Sequence, residues 1–262
     1  MLLFCCATLP AQAETAAKNL YKQGEILYGA GKTEKAMLLY DRALLIEPDW
    51  SLCLMRKAQC LHQIQEDEEA LPFINRALLK DPNVAGYNLV KSTILSALGK
   101  YDEALVFARK ACNVIGPFAE ADATLARALL NCHKYEEAQT FLTAKLKAFP
   151  NDAQMRSARI KVGIVLGKWD QVVADCTISY KSLRPLSPSL VRVLTDRAEA
   201  YKHLKKYDLA IKDYEEILRA VHDYRPAHSG LKDLYKLSGN KKMFDKEMKF
   251  LESLDQDSEP PI

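Results

Sequence analysis

Few side chains in this sequence are spaced for chemistry. Cys53, Cys60 and His62 come nearest to a set of metal ligands. On one helix, however, Cys53 and Cys60 lie two turns and about 10 Å apart. That is too far for a disulfide, and a lone helix converges them poorly with His62 on a single ion. They read as two packing thiols and a surface imidazole. The other histidines are scattered. No stretch has the form of a nucleophile elbow, a P-loop, a His-Glu-x-x-His helix or a dinucleotide glycine fingerprint. Gly31-Lys32, Gly99-Lys100 and Gly167-Lys168 set a glycine before a lysine, yet none has the longer loop that cradles a phosphate. The expectation is a protein that is not an enzyme and carries no cofactor or metal.

Charge narrows the classes further. The chain has 262 residues, 48% of them hydrophobic, with 37 Lys and Arg against 34 Asp and Glu for a net charge of +3. That is ample material for a core, and too mild and evenly mixed a charge for a nucleic-acid footprint. Runs such as Glu66-Asp67-Glu68-Glu69 and Lys241-Lys242 fall at helix starts or on outer faces, where solvation accounts for them.

What positions these residues is a period. Stepping forward 34 residues at a time gives Ala36, Ala70, Ala104 and Ala138, then Ala43, Ala77 and Ala111, then Leu27, Leu61, Leu95 and Leu129. Small residues recur at Gly24, Ala58, Ser92 and Ala126, and prolines at Pro48, Pro82 and Pro150. A fixed spacing of this length signifies repeated helix pairs. In the stretch from Ala17 to Trp50, Leu20, Gly24 and Leu27 share one face of a first helix, and Gly31-Lys32 ends it with a left-handed cap. Ala36, Tyr40 and Ala43 line a second helix whose small side chains allow close packing. Pro48 stops that helix, and Asp49 is expected to cap the next one.

The small residue at the eighth place, leucine or an aromatic at the eleventh, alanine at the twentieth and twenty-seventh and proline at the thirty-second resemble the tetratricopeptide repeat. The related pentatricopeptide repeat, which reads RNA bases, has a period one residue longer, and three unbroken steps of 34 argue against it. The resemblance implies an all-α, right-handed superhelix, an α-solenoid of helix-turn-helix repeats. Six repeats are expected at about 17–50, 51–84, 85–118, 119–152, 153–186 and 191–224, with a degenerate capping pair at 225–254. One elongated unit is the expectation.

In that family, ligand peptides lie along the first helices and touch the second, fifth, ninth and twelfth places. Carried over, the resemblance implies a partner-binding groove with Tyr21, Tyr28, Met55, Gln59 and Leu89 in its first half. A basic lining of Arg127, Lys161, Arg192 and Lys202 follows in the second, partly offset by Glu120 and Glu199. The implied partner is a protein or peptide with an apolar segment for the first half and acidic groups near Arg127 and Lys161. The family's carboxylate clamp needs lysine at the fifth and asparagine at the ninth place, and no repeat has that pair. A cochaperone role through that clamp is disfavoured.

Some places depart from the pattern. Lys145 stands where an alanine is typical, which predicts a slightly open contact. In the fifth repeat Arg156, Arg159 and Gly163 occupy places that normally pack, while Met155, Ala158, Val162 and Val165 offer an alternative apolar stripe. A rotated helix with its arginines turned outward is expected. The proline-rich stretch from Arg184 to Pro188 predicts a bend.

The ends carry their own signals. Residues 1–13, MLLFCCATLPAQA, are uncharged and end on the small-x-small site Ala11-Gln12-Ala13, which resembles a secretory signal without its positive start. Export to a periplasm or outside the cell is the leading expectation, with a cytosolic adaptor as the alternative. Nothing later in the chain is long and apolar enough to span a membrane. Cys53, Cys60, Cys112, Cys132 and Cys176 fall on helix faces and read mostly as buried free thiols. Residues 255–262 are expected as a disordered acidic tail.

Overall fold

The computed structural model describes residues 8–113, 119–183 and 187–256; among these every regular element is an α-helix and no strand occurs. In order they are α1 (Thr8–Gly29), α2 (Thr33–Ile46), α3 (Ser51–Gln63), α4 (Asp67–Lys80), α5 (Ala85–Ala97), α6 (Tyr101–Cys112) and α7 (Ala119–Asn131). There follow α8 (Tyr135–Ala148), α9 (Ala153–Val165), α10 (Trp169–Ser182), α11 (Pro188–His203), α12 (Tyr207–Ala220), α13 (Arg225–Leu237) and α14 (Lys241–Gln256). The repeat starts expected at 51, 85, 119, 153 and 225 coincide with the first residues of α3, α5, α7, α9 and α13, whereas those expected at 17 and 191 fall inside α1 and α11. Gly116-Pro117, residues 184–186 of the expected bend, and residues 1–7 and 257–262 of the expected terminal segments lie outside the described residues. Among the described residues, α1 runs unbroken through Ala13, and α14 extends to Gln256, two residues into the expected tail.

The helices gather into two compact units, residues 1–134 and 135–262. Each hairpin of a repeat array touches only its neighbours, so no shared centre obliges the chain to form one body. Unit 1 holds α1 to α7 and buries Leu54, Ala58, Ile74, Ala77 and Ile94 in its main cluster. Unit 2 holds α8 to α14 and buries Leu194, Ala198, Ile217, Leu231 and Leu234.

One backbone device closes every hairpin. At the fifteenth place the chain turns left-handed, at Gly31, Gly99, Gly167 and Gly239 and equally at Gln65, His133 and Lys205, with φ of 67°, 55° and 58° for the three non-glycines. The next amide reaches back five residues: Lys32 to Leu27 and Glu66 to Leu61, both at 2.9 Å, and so on to Asn240 and Tyr235 at 2.9 Å. This is the six-to-one bond of a Schellman cap. Second helices then open without a side-chain cap at α2, α4, α6, α10 and α12, and acidic residues in the first turn meet the positive end of the dipole.

Packing explains the recurring small residue. A Cβ on Gly24 would stand 2.5 Å from the ring of fully buried Tyr40, so the tyrosine lies on bare backbone. Asp49 does not cap α3 as expected. The residue that precedes α3 is Trp50, one place further on, and Asp49 instead accepts from Arg76 Nη2 at 2.9 Å. Where an acid does occupy that later place, at Asp152, it caps α9 through Met155 N at 2.9 Å.

The fifth hairpin also departs from expectation. Helix α9 is not rotated to turn its arginines out: Arg156 is 5% exposed and Val165 is 56% exposed. Partners make this tolerable. Arg156 donates to the Pro150 carbonyl, and Arg159 forms a two-pronged bond to Asp175 at 2.8 and 2.7 Å. A donor at this fourth place recurs, since Asn88 donates to the Pro82 carbonyl at 2.9 Å and His228 Nε2 to the His222 carbonyl at 2.8 Å. Each bond ties a first helix to the loop before it.

Candidate functional site

The first helices of unit 1, with the turn into α4, line an open cavity of about 680 Å³. Periodicity builds much of it. Tyr28 is a twelfth-place residue of α1, Gln59 and His62 are ninth and twelfth on α3, Leu89 and Thr93 are fifth and ninth on α5, and Glu120 is second on α7; all line the space. Leu89, Val90 and Ala97 give it an apolar wall. Gln59, Gln63 and Gln65 offer amides, which can pair with an extended backbone through both donor and acceptor.

The remaining lining includes two carboxylates, Asp67 and Glu120, and the imidazole of His62. His62 donates from Nδ1 to Asp67 Oδ1 at 2.5 Å. Glu120 is exposed and makes no ion pair among the described residues. No lysine or arginine is among the described residues of the lining. The nearest cation in the network, Arg56, is already matched: Nη2 meets Glu25 Oε2 at 2.8 Å, Nη1 donates to Gln59 Oε1 at 2.9 Å, and the guanidinium stands 5.7 Å from the Tyr28 ring centre. Glu25 also accepts from the Tyr40 hydroxyl at 2.5 Å. Burial and that carboxylate hold the Tyr40 phenol far above its ordinary pKa, so it remains a donor. Burial likewise raises Tyr28.

Two expected anchors serve the wall and do not face the cavity. Met55 is absent from the lining and packs within the main core cluster. Tyr21 packs its ring 5.7 Å from Tyr40 and 4.8 Å from Trp50, and burial raises its phenol. Arg127 is exposed on α7, donates to Thr124 Oγ1 of its own helix at 3.4 Å, and is absent from the lining. Gln63, Gln65 and Asp67, which the periodic places missed, end α3, form the left-handed turn and open α4. The only signal for them was the repeat's turn itself, hidden because a glutamine fills the glycine place.

In unit 2 the basic residues part company. Lys161 and Arg192 line a smaller cavity of about 150 Å³ between α9, α10 and α11, with Ser157, Ser179, Ser182 and Asp196. Arg192 Nη2 donates to Ser157 Oγ at 3.4 Å. Burial raises the Asp196 carboxyl, and Arg192 and Lys161 pull it partway back. Lys202 is instead paired with Glu199 at 2.6 Å on α11.

Cys53, Cys60 and Cys176 are fully buried thiols, outside any disulfide, that burial pushes up to about 12, while Cys132 and Cys112, which donates from Sγ to Asp122 Oδ1 at 3.8 Å, are half-buried. Cys53 donates to the Tyr40 carbonyl at 3.5 Å. Among the described residues no three His, Cys, Asp or Glu side chains gather as a metal site, and no helix is long and apolar enough to cross a membrane.

Tetratricopeptide repeat profiles match residues 95–161, 191–220 and 18–49. Sperm-associated antigen 1 of Rattus norvegicus is 35% identical over 89 residues, which is 34% of this chain and only 9% of the length of that relative. Among solved structures, pilF of Pseudomonas aeruginosa superposes with a TM-score of 0.69 at 16% identity, over 86% of this chain and 99% of the other. YrrB, a tetratricopeptide repeat protein with an unusual peptide-binding site, gives a TM-score of 0.61 at 16% identity over 72% and 95%. At these identities the structural likeness bears on the fold alone.

Proposed function

Since this chain is a tetratricopeptide-repeat protein, we propose that it is a non-enzymatic scaffold that binds an extended segment of a protein partner in the cavity of unit 1. The observation that carries this reading is the coincidence of that cavity with family contact places: Tyr28, Gln59, His62, Leu89, Thr93 and Glu120 all line it. An apolar wall faced by amides suits a strand-like peptide, whose side chains seek the wall and whose backbone seeks the amides. Ala97 is exposed on that wall, so Ala97→Trp fills the cavity without disturbing the core. Co-purification from the native cell, read by mass spectrometry, is expected to lose the partner with Ala97→Trp and keep it with Leu79→Trp, at an exposed position outside the cavity. Equal recovery from both variants contradicts the reading.

In unit 2, Lys161 and Arg192 offer a second, basic contact for acidic groups of the partner. Lys161→Glu is expected to weaken capture, and unchanged affinity removes that contact. The uncharged residues 1–13 with their Ala11-Gln12-Ala13 site support action in a periplasm or outside the cell. An N-terminal peptide beginning at Glu14 fits export; an intact Met1 peptide favours the cytosolic adaptor.

A further inference from the structure

We infer that the cavity of unit 1 selects basic segments, extended peptides that set a lysine or arginine beside an apolar residue. This rests on the cavity being the partner site and adds the sign of the charge it reads. The described lining carries two carboxylates, Asp67 and Glu120, and neither lysine nor arginine. Asp67 keeps a partner in His62, whereas Glu120 is exposed and unpaired among the described residues. Among the described residues, the arginine bonded to the lining, Arg56, is spent on Glu25 and Gln59, so it offers a ligand carboxylate little. Leu89, Val90 and Ala97 form an apolar wall that a side chain one or two places along the same peptide would cover, while Gln59, Gln63 and Thr93 can meet its backbone. Such a ligand leaves no carboxylate of the cavity desolvated without a counter-charge. An acidic peptide would press like charges together at a cost.

The carried-over places imply an apolar contact for the first half of the groove and acidic partner groups only from Arg127 onward. Arg127, the basic residue expected to meet acidic groups in unit 1, lies outside the lining.

A positional-scanning library of acetylated, amidated nonapeptides, captured on the full-length protein, reads the preference whatever the natural partner is. The expected result is about tenfold enrichment of Lys and Arg over Asp and Glu at one or two positions, next to an apolar preference, and shrinking as salt rises from about 0.05 to about 0.5 M. Glu120→Gln, at an exposed site, is expected to abolish most of the charge preference and spare the apolar one. Ala97→Trp is expected to abolish both. Apolar enrichment sensitive to Ala97→Trp but without a basic preference, or with an acidic one, overturns the charge inference and leaves the cavity as the partner site. A basic preference that survives both substitutions puts the binding elsewhere and overturns the inference. No enrichment at any position overturns it together with the reading it rests on.

Discussion

The two units fill the same slot with opposite chemistry. Between the seventh place of a first helix and the twenty-third of the second, sixteen residues on, unit 1 sets lysine over phenylalanine: Lys57 over Phe73 and Lys91 over Phe107, each with Nζ 4.1 Å from the ring centre. Unit 2 sets arginine against aspartate at that spacing, Arg159 with Asp175 and Arg197 with Asp213, each two-pronged with bonds between 2.7 and 2.9 Å. The first arrangement lays a long aliphatic stem along a ring with the ammonium over its face, and the Lys57 ammonium also pairs with Asp41. The second buries both charges: the side chains of Arg197 and Asp213 are 11% and 6% exposed. Burial outweighs the guanidinium at Asp213 and raises its carboxyl, so ionising it works against the fold. A repeat therefore fixes the geometry of a contact and leaves its chemistry free.

The largest expected effect comes from breaking the second arrangement on one side. Asp213→Ala strands a buried guanidinium and is expected to cost about 3–5 kcal/mol in urea unfolding. The double substitution Arg197→Lys with Asp213→Phe installs the unit 1 pair, and it is expected to recover most of that loss. A double variant as unstable as the single one would show that the slot is not shared.

Next in size is an alkaline effect. The thiols of Cys53, Cys60 and Cys176 are pushed up to about 12 when folded, from an ordinary 9. A raised folded pKa gives stability that is complete below the unfolded value and is lost as pH rises toward the folded one. At pH about 10 each thiol is expected to cost roughly 1 kcal/mol relative to neutral pH. Unit 1 carries two such thiols and unit 2 one. Cys53→Ser and Cys60→Ser should flatten the pH dependence more than Cys176→Ser does, in unfolding followed from pH 8 to 11.

Third, the left-handed turns predict a gain. Gln65→Gly in unit 1 and Lys205→Gly in unit 2 remove a strained φ and should each stabilise by about 1 kcal/mol, with Gly99→Ala losing a similar amount. The smallest effect belongs to the lysine pairs. Lys91→Ala gives up a half-buried cation over Phe107 and should cost about 0.5–1 kcal/mol, well below Asp213→Ala. Equal losses would erase the distinction between the units.

Much of the fold could be read from the chain because helix pairs impose it on side-chain size. Gly24 must be small where Tyr40 lies on it, and Ala36 and Ala43 are fully buried where the pair packs. Where backbone bonding alone sets the conformation, the sequence was silent: Gln65, His133 and Lys205 adopt a glycine's turn because the six-to-one amide holds it. Arg159 looked misplaced because its partner stands sixteen residues away, beyond the reach of any helical pattern. The site divides in the same manner. Periodic places gave Tyr28, Gln59 and Leu89, whereas Gln63, Gln65 and Asp67 depend on how the turn folds beside them. Met55 is on the expected helix, but its long side chain turns into the core.

The most direct test is a benzophenone cross-linker placed at Thr93, on the cavity wall, and separately at Leu79, exposed on α4, in the protein expressed in its native cell. The account predicts a discrete covalent adduct with a polypeptide from Thr93, suppressed by Ala97→Trp, and none from Leu79. Adducts from Leu79 with Thr93 silent would contradict it.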